Sequence, residues 1–370
     1  MASSPFSRIP AELWAIICDE VHNTPTLASL CRISSNSRLG AEALRILYHS
    51  VDLRDCPTRV VQSWSRTIMN NTSLAERVHA LALRLPSPLR FEVSDATKIG
   101  CALGKCVNLK ELRVFGELLE KTGTYQNDGI HGWLINDCSF RLTKFESFYF
   151  EDRNIERFWR NQTEIQLLAA RTSSCLRDPE VLPQVIALRT DLLDFPEGRA
   201  LQRISTRLED RYIQRLARST AVTLTTLYLS RDLVDRFSLG DAIAAVAKYF
   251  VDLIHLVIVE QKKCHVALNE KLSTTTLQKF SKLESLVLRM LNVASFEIDD
   301  VTHKMNTAAG VYGLGHDFMI ACPTLQRAAV SAEVEEQVLA SVVTRSQGGE
   351  IHEGSGTVVD FDASDMFWNQ

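Results

Sequence analysis

Hydrophobic and polar positions in the first fifty residues follow a helical period. Leu13, Ile16 and Ile17 recur at i, i+3, i+4, and Pro10 stands where it suits a first helical turn. This spacing predicts a helix that starts near Pro10 and stops at the break Asn23-Thr24-Pro25. A second short helix is expected over residues 26–33, with Leu27, Leu30 and Cys31 on one side. Ser34-Ser35-Asn36 reads as a turn that also caps a third helix over residues 38–47, carrying Leu39, Ala43, Leu47 and Tyr48. Val51 and Leu53 then alternate with Asp52, as in a first strand. Three helices of this length bury little surface, so the module would be steadied by a partner or by the adjoining part of the chain.

From Val78 onward the rhythm changes. Leu-x-x-Leu-x-Leu-like runs recur at residues 109–114, 142–150, 224–229, 253–258, 283–288 and 325–330. With Leu112, Phe148, Leu227, Leu256, Leu286 and Ala328 as central positions, most neighbouring units recur at roughly 30–40 residues. Helix-like segments fall between them at residues 207–219, 241–249, 273–279 and 307–320. Further short strands are expected at 165–167, 185–188 and 201–204, cut apart by Pro183, Pro196 and Gly198. A strand followed by a helix, repeated, closes its core only by stacking on its neighbours. The pattern therefore predicts an α/β chain in three parts: a helical module at 1–54, a repeat solenoid at 55–345 and a Gly-rich tail or cap at 346–370. Val358, Val359, Phe361 and Phe367-Trp368 are expected to pack at that end.

Composition narrows the function classes. Apolar residues make up 45% and charged residues 23% of the 370, enough apolar surface to fold. A formal charge of −4 gives no global basic field for nucleic acid. No run of about 18 uncharged apolar residues occurs, so neither a spanning helix nor a membrane partner is expected. The most apolar stretch, 243–259, is interrupted by Lys248, Asp252 and His255. The opening residues are too polar for a secretory leader, which points to a cytoplasmic or nuclear protein. Nine cysteines without a framework then read as free thiols.

Catalytic patterns are weak. Gly313-Leu-Gly315 lacks a third glycine, and neither a Walker loop nor a Gly-x-Ser-x-Gly elbow occurs. The best metal set, Cys101, Cys106, His131 and Cys138, has no diagnostic spacing. The arginine-rich stretch 199–218 is interleaved with Glu209 and Asp210 and reads as a solvated helix face. No catalytic residue, cofactor or metal is expected.

The residues Ile9-Pro10-x-Glu12-Leu13-Trp14-x-x-Ile17, Leu27-x-x-Leu30, Ser34, Arg38, Leu47-Tyr48 and Val51-x-Leu53 resemble an F-box, with Ile9 in place of the usual Leu. The resemblance implies docking on a Skp1-like adaptor of a cullin complex through Ile9, Pro10, Leu13, Trp14, Ile17, Leu27 and Leu30. A tryptophan such as Trp14 suits an interface anchor because it offers a large rigid area. A plain helical cap on the repeat array is the other reading of these helices.

The rest resembles the irregular leucine-rich repeats that follow F-boxes in many fungal proteins, notably at 182–189 and 322–327. The regular Asn or Cys that locks each turn is missing. The resemblance implies a leucine-rich-repeat-like α/β solenoid that recruits an unidentified target protein. In such a solenoid Arg113, Tyr149, Tyr228, His255, Val257, Val287 and Arg289 would line the strand face. The expected function is the substrate-recognition subunit of an SCF-type ubiquitin ligase, which performs no chemistry and raises the effective concentration of a target. The alternatives are a non-catalytic repeat scaffold without a ligase, and an enzyme with a deep pocket on a repeat-like fold.

Overall fold

The computed structural model describes residues 10–21, 23–33, 38–86, 92–116, 118–119, 124–125, 131–170, 174–190, 199–208, 210–220, 222–232, 238–262, 268–334 and 337–354. The chain is mixed α/β and divides into two compact units. One comprises Met1–Ala169 with Glu180–Gln184, the other Ala170–Pro179 with Val185–Gln370. None of the described helices is long and apolar enough to cross a membrane.

The first unit opens with α1 (Ala11–Asp19), α2 (Thr24–Ile33) and α3 (Arg38–His49). Pro10 precedes α1 with an extended backbone, and its carbonyl accepts the Trp14 N–H. Gly40 and Ala43 are the buried positions of α3, where small side chains let α1 and α2 pack closely. A core forms from Cys18, Leu27 and Ala43, with Val21, Leu30, Cys31, Leu39, Ile46 and Leu47 against it. α3 runs directly into β1 (Ser50–Leu53). There follow α4 (Thr58–Asn70), α5 (Thr72–Ala75), β2 (Ala80–Arg84), α6 (Val93–Lys105) and β3 (Glu111–Phe115). A two-residue pair, β4 (Leu118–Leu119) and β5 (Thr124–Tyr125), precedes α7 (Trp133–Asn136), β6 (Lys144–Ser147), α8 (Glu156–Asn161) and β7 (Leu167–Ala170).

The sheet order in this unit is β1-β2-β3-β6-β7, and β1, β2, β3 and β6 pair in parallel. The register sets Leu81, Leu112 and Phe145 side by side. The central residue of the 142–150 run is thus Phe145, which corrects the expected Phe148. The reason lies three residues upstream. Leu109 and Leu142 are fully buried in the turns before their strands, as Val78 is before β2, and each fixes which residue three later enters the sheet.

The second unit begins with β8 (Ala187–Arg189), β9 (Arg203–Arg207), α9 (Asp210–Thr220), β10 (Thr226–Asp232), α10 (Leu239–Tyr249) and β11 (His255–Lys262). It continues with β12 (Leu268–Leu272), α11 (Thr274–Leu277), β13 (Ser285–Leu291), β14 (Val293–Ile298), β15 (Val301–Lys304) and α12 (Ala308–Ala321). The last strands are β16 (Arg327–Val334), β17 (Gln337–Arg345) and β18 (Ile351–Gly354). Strands β8, β9, β10, β11, β13 and β16 are parallel in that order, and β17 and β18 add antiparallel. The register aligns Leu188, Ile204, Leu227, Leu256, Leu286 and Ala328. β12, β14 and β15 form a separate small sheet.

The expected tail at 346–370 is a hairpin arm in its first part: Ile351–Gly354 pairs with β17 after a turn that Gly349 makes at φ 86°. Val358, Val359, Phe361 and Phe367-Trp368 lie outside the described residues.

A backbone device recurs without any fixed side chain. The Lys110 carbonyl accepts the N–H groups of both Thr143 and Lys144. The carbonyls of Gln202, Thr225, Ile254 and Glu284 each accept two consecutive N–H groups from the next strand in the same way. Hydroxyls reinforce it: Thr143 Oγ1 donates to the Lys110 carbonyl and Thr225 Oγ1 to that of Gln202. Units lacking a regular Asn or Cys are therefore still locked turn to turn.

Candidate interaction surfaces

α1 carries apolar residues all round, and only part of it is covered. Trp14 and Cys18 turn inward, Trp14 retaining 7% exposure. Leu13, Ile16 and Ile17 turn outward at 49%, 57% and 45% exposure. These three form one stripe at i, i+3, i+4, with exposed Pro10 at its N-terminal end. Each is already half covered, so covering the rest would contribute about 1 kcal/mol apiece.

The expected adaptor-contact residues thus separate into two sets. Pro10, Leu13 and Ile17 are accessible. Trp14 and Leu27 are buried, and Leu30 packs half-buried against the core of the helical module. This corrects the expectation that Trp14 and Leu27 lie open: Leu27 belongs to the core of the three short helices, and Trp14 is buried. Ile9 and Ser34 lie outside the described residues. Ile16, the most exposed of the stripe, was absent from the expected contact set although its spacing placed it there.

The strand faces hold the expected target-contact residues. Arg113 is half-buried, 3.9 Å from Glu146 on the neighbouring strand. Tyr228 and His255 are half-buried, and Arg289 is exposed. Burial is the main cause that lowers the His255 pKa; Glu284 opposes this and Arg203 adds to it. Tyr149, Val257 and Val287, at 0%, 3% and 1% exposure, do not line an open face. Tyr149 lies in the bend beyond β6, its ring edge-on to Phe150 at 5.1 Å. Val257 and Val287 belong to a row across the sheet, Tyr228–Val257–Val287–Ala329–Val342, whose members are opposite one another in register. With Val259 they form one apolar cluster and shield each other.

The structure adds a buried charge cluster that the sequence reading missed. Arg231 donates from Nη1 to Glu260 Oε1 at 2.8 Å and to Glu270 Oε1 at 3.3 Å. Glu260 Oε2 accepts the Leu291 N–H at 2.6 Å, and Glu270 Oε2 accepts the Leu239 N–H, the first of α10, at 2.7 Å. A Cβ on Gly240 would run into the Lys271 carbonyl, so glycine lets α10 seat this close to β12. Burial pushes the Glu260 pKa up to about 7, opposed by the Leu291 N–H and by Arg231. All four carboxylate oxygens are engaged, so the cluster clamps the strands to the helix. A signal was present in the sequence: Arg231 and Glu260 are in register, each four residues after its central leucine.

The weighed metal set stays dispersed in character. Cys101 is exposed; Cys106 and Cys138 are buried, their thiols pushed up to about 12 by burial and bonded to the Ala102 and Leu134 carbonyls. Among the described residues no three His, Cys, Asp or Glu side chains converge as metal ligands. Among known proteins, no family model matches the chain, and no curated protein matches it.

Proposed function

We propose that the chain is the substrate-receptor subunit of an SCF-type ubiquitin ligase. In this reading α1, α2 and α3 form an F-box that docks on a Skp1-like adaptor. The strand–helix units act as a leucine-rich-repeat-like solenoid and hold the target. The observation that carries the reading is the Leu13–Ile16–Ile17 stripe, left open beside Pro10 on the first helix of a module too small to spare apolar surface. The chain itself would break and form no bond; it would bring target lysines close to a ubiquitin-loaded enzyme held elsewhere in the assembly.

Co-purification with a Skp1-like adaptor tests this. The variant is Leu13→Asp/Ile17→Asp, which leaves the buried Trp14 in place. The wild type is expected to retain the adaptor and the variant to lose it, with unchanged circular dichroism. A folded wild type that retains no adaptor overturns the receptor reading and leaves a non-catalytic scaffold.

A further inference from the structure

The last residue of α3 and the residue just before β2 are both histidines, His49 and His79. The His79 N–H donates to the His49 carbonyl at 2.9 Å, one rung before the Ser50–Ala80 pair of the parallel ladder. α3 runs into β1 without a linker, so a helix end and two paired strands hold both backbones in place. The two imidazole rings face each other, with centroids 4.5 Å apart and planes 23° from parallel. His49 is exposed and His79 half-buried, so dissolved ions reach the pair.

Hydrogen bonding fixes which nitrogen of His79 is available. Its Nδ1 lies 2.8 Å from the Arg77 carbonyl. A carbonyl oxygen only accepts, so Nδ1 carries the hydrogen and Nε2 of the neutral ring keeps its lone pair. A metal-bound histidine is typically oriented by such a bond from its other nitrogen to a carbonyl or carboxylate. Burial lowers the His49 pKa, with His79 and Arg45 adding to the effect and Asp19 and Glu111 opposing it. The two carboxylates favour a cation beside the ring. Arg45 disfavours one, but it is itself engaged by Glu42 at 2.7 Å and by Asp19 at 3.6 Å.

We propose that His49 and His79 form a binding site for a divalent transition ion of the zinc and copper class, held by one nitrogen of each ring, with water completing its coordination. Imidazole nitrogen suits such ions, whereas Mg²⁺ and Ca²⁺ take oxygen ligands. Metal–nitrogen bonds of about 2 Å need the two donor atoms about 3–4 Å apart. The ring separation is close to that, and the exposed His49 ring turns to close the difference. Two protein ligands make an exchangeable site, unlike the four of a closed structural one. A bound ion would tie the end of α3 to the start of β2, and so fasten the helical module to the first strand–helix units. None of this depends on the substrate-receptor reading.

Cu²⁺ is the probe, because its unpaired spin reports its ligands. The full chain is titrated with Cu²⁺ in excess glycine, which keeps the ion off weaker surface sites, and the electron spin echo modulation is recorded. One site is expected, with modulation from two imidazoles. His49→Gln and His79→Gln are each expected to weaken that site about tenfold or more and to remove one imidazole from the modulation. Cu²⁺ is also expected to raise the Tm of the wild type by more than that of either variant, because the pair is assembled only in the folded chain. Circular dichroism confirms that each chain is folded, and the exposed His49 position serves if His79→Gln disturbs folding. A tight site that survives both substitutions, modulation from a single imidazole in the wild type, or no site that competes with glycine would each overturn the proposal. No readout involves the adaptor or a target, so failure here and failure of the receptor reading are distinguishable.

Discussion

The two units obey the same rule on one side of their sheets and different rules on the other. Toward the helices both bury a residue in the turn, a central residue three later and another two beyond: Leu109, Leu112 and Val114 in one, Leu283, Leu286 and Leu288 in the other. On the opposite face the first unit sets charges across from each other. Glu111 lies 2.9 Å from Lys144, and Arg113 lies 3.9 Å from Glu146. The second unit sets valines and alanines there, in register, within a basic rim. The helix side must exclude water wherever a helix covers it, so its chemistry is fixed. The strand side carries no such obligation and differs between the units.

The strongest challenge to this comparison is core truncation. Phe145 packs on Phe158 and Trp159 with ring centroids 5.2 and 5.3 Å away. Phe145→Ala is expected to cost about 3–5 kcal/mol and Leu286→Ala about 2–5 kcal/mol in denaturant unfolding. A much smaller cost in either unit would break the shared rule.

The next effect depends on pH. The folded-state pKa of Glu260 is raised from the ordinary 4.5 to about 7, so the native state holds this proton more tightly than the unfolded chain does. Its contribution is complete below about 4.5 and declines as pH rises toward 7. Unfolding of wild type and Glu260→Gln at pH 5 and pH 7 is expected to show the balance moving toward the variant at pH 7. The limit is about 1.4 kcal/mol per pH unit. A difference independent of pH would mean that Glu260 is ionised throughout.

The smallest effects bear on the strand faces themselves. Val287→Ala in the second unit is expected to cost about 1–3 kcal/mol, because it removes apolar area from a buried row. Lys144→Met in the first is expected to change stability by about 1 kcal/mol or less, because its pair with Glu111 is partly solvated on both sides. Equal costs, read from thermal unfolding of both variants, would erase the distinction between the faces.

Much of the secondary structure was legible because burial imposes a period. The helical segments expected at 241–249 and 307–320 appear as α10 and α12, shifted by no more than two residues at either end. The strands at 109–114, 224–229, 253–258, 283–288 and 325–330 lie where the leucine spacing placed them. The 142–150 run misled because Phe145, Phe148 and Phe150 offered competing apolar positions, and only the fully buried Leu142 selected among them. The irregular interval was harder. Leu188 and Ile204 take the central register positions, but shorter connections bring these strands much closer in sequence than roughly 30 residues.

The order of residues alone dictated which positions are apolar, at what spacing they recur, and so which of them face a helix-covered core. Packing settled which side of α1 stays open: Trp14 is buried, and Ile17, three residues on, is exposed. Packing also placed Arg231 between Glu260, 29 residues away on the neighbouring strand β11, and Glu270, 39 residues away on β12 of the separate small sheet. It turned Val257, Val287, Ala329 and Val342 into one row. Local spacing encodes faces, because neighbouring residues share one backbone geometry. Which faces meet depends on register between distant strands, and that is settled only when the chain packs.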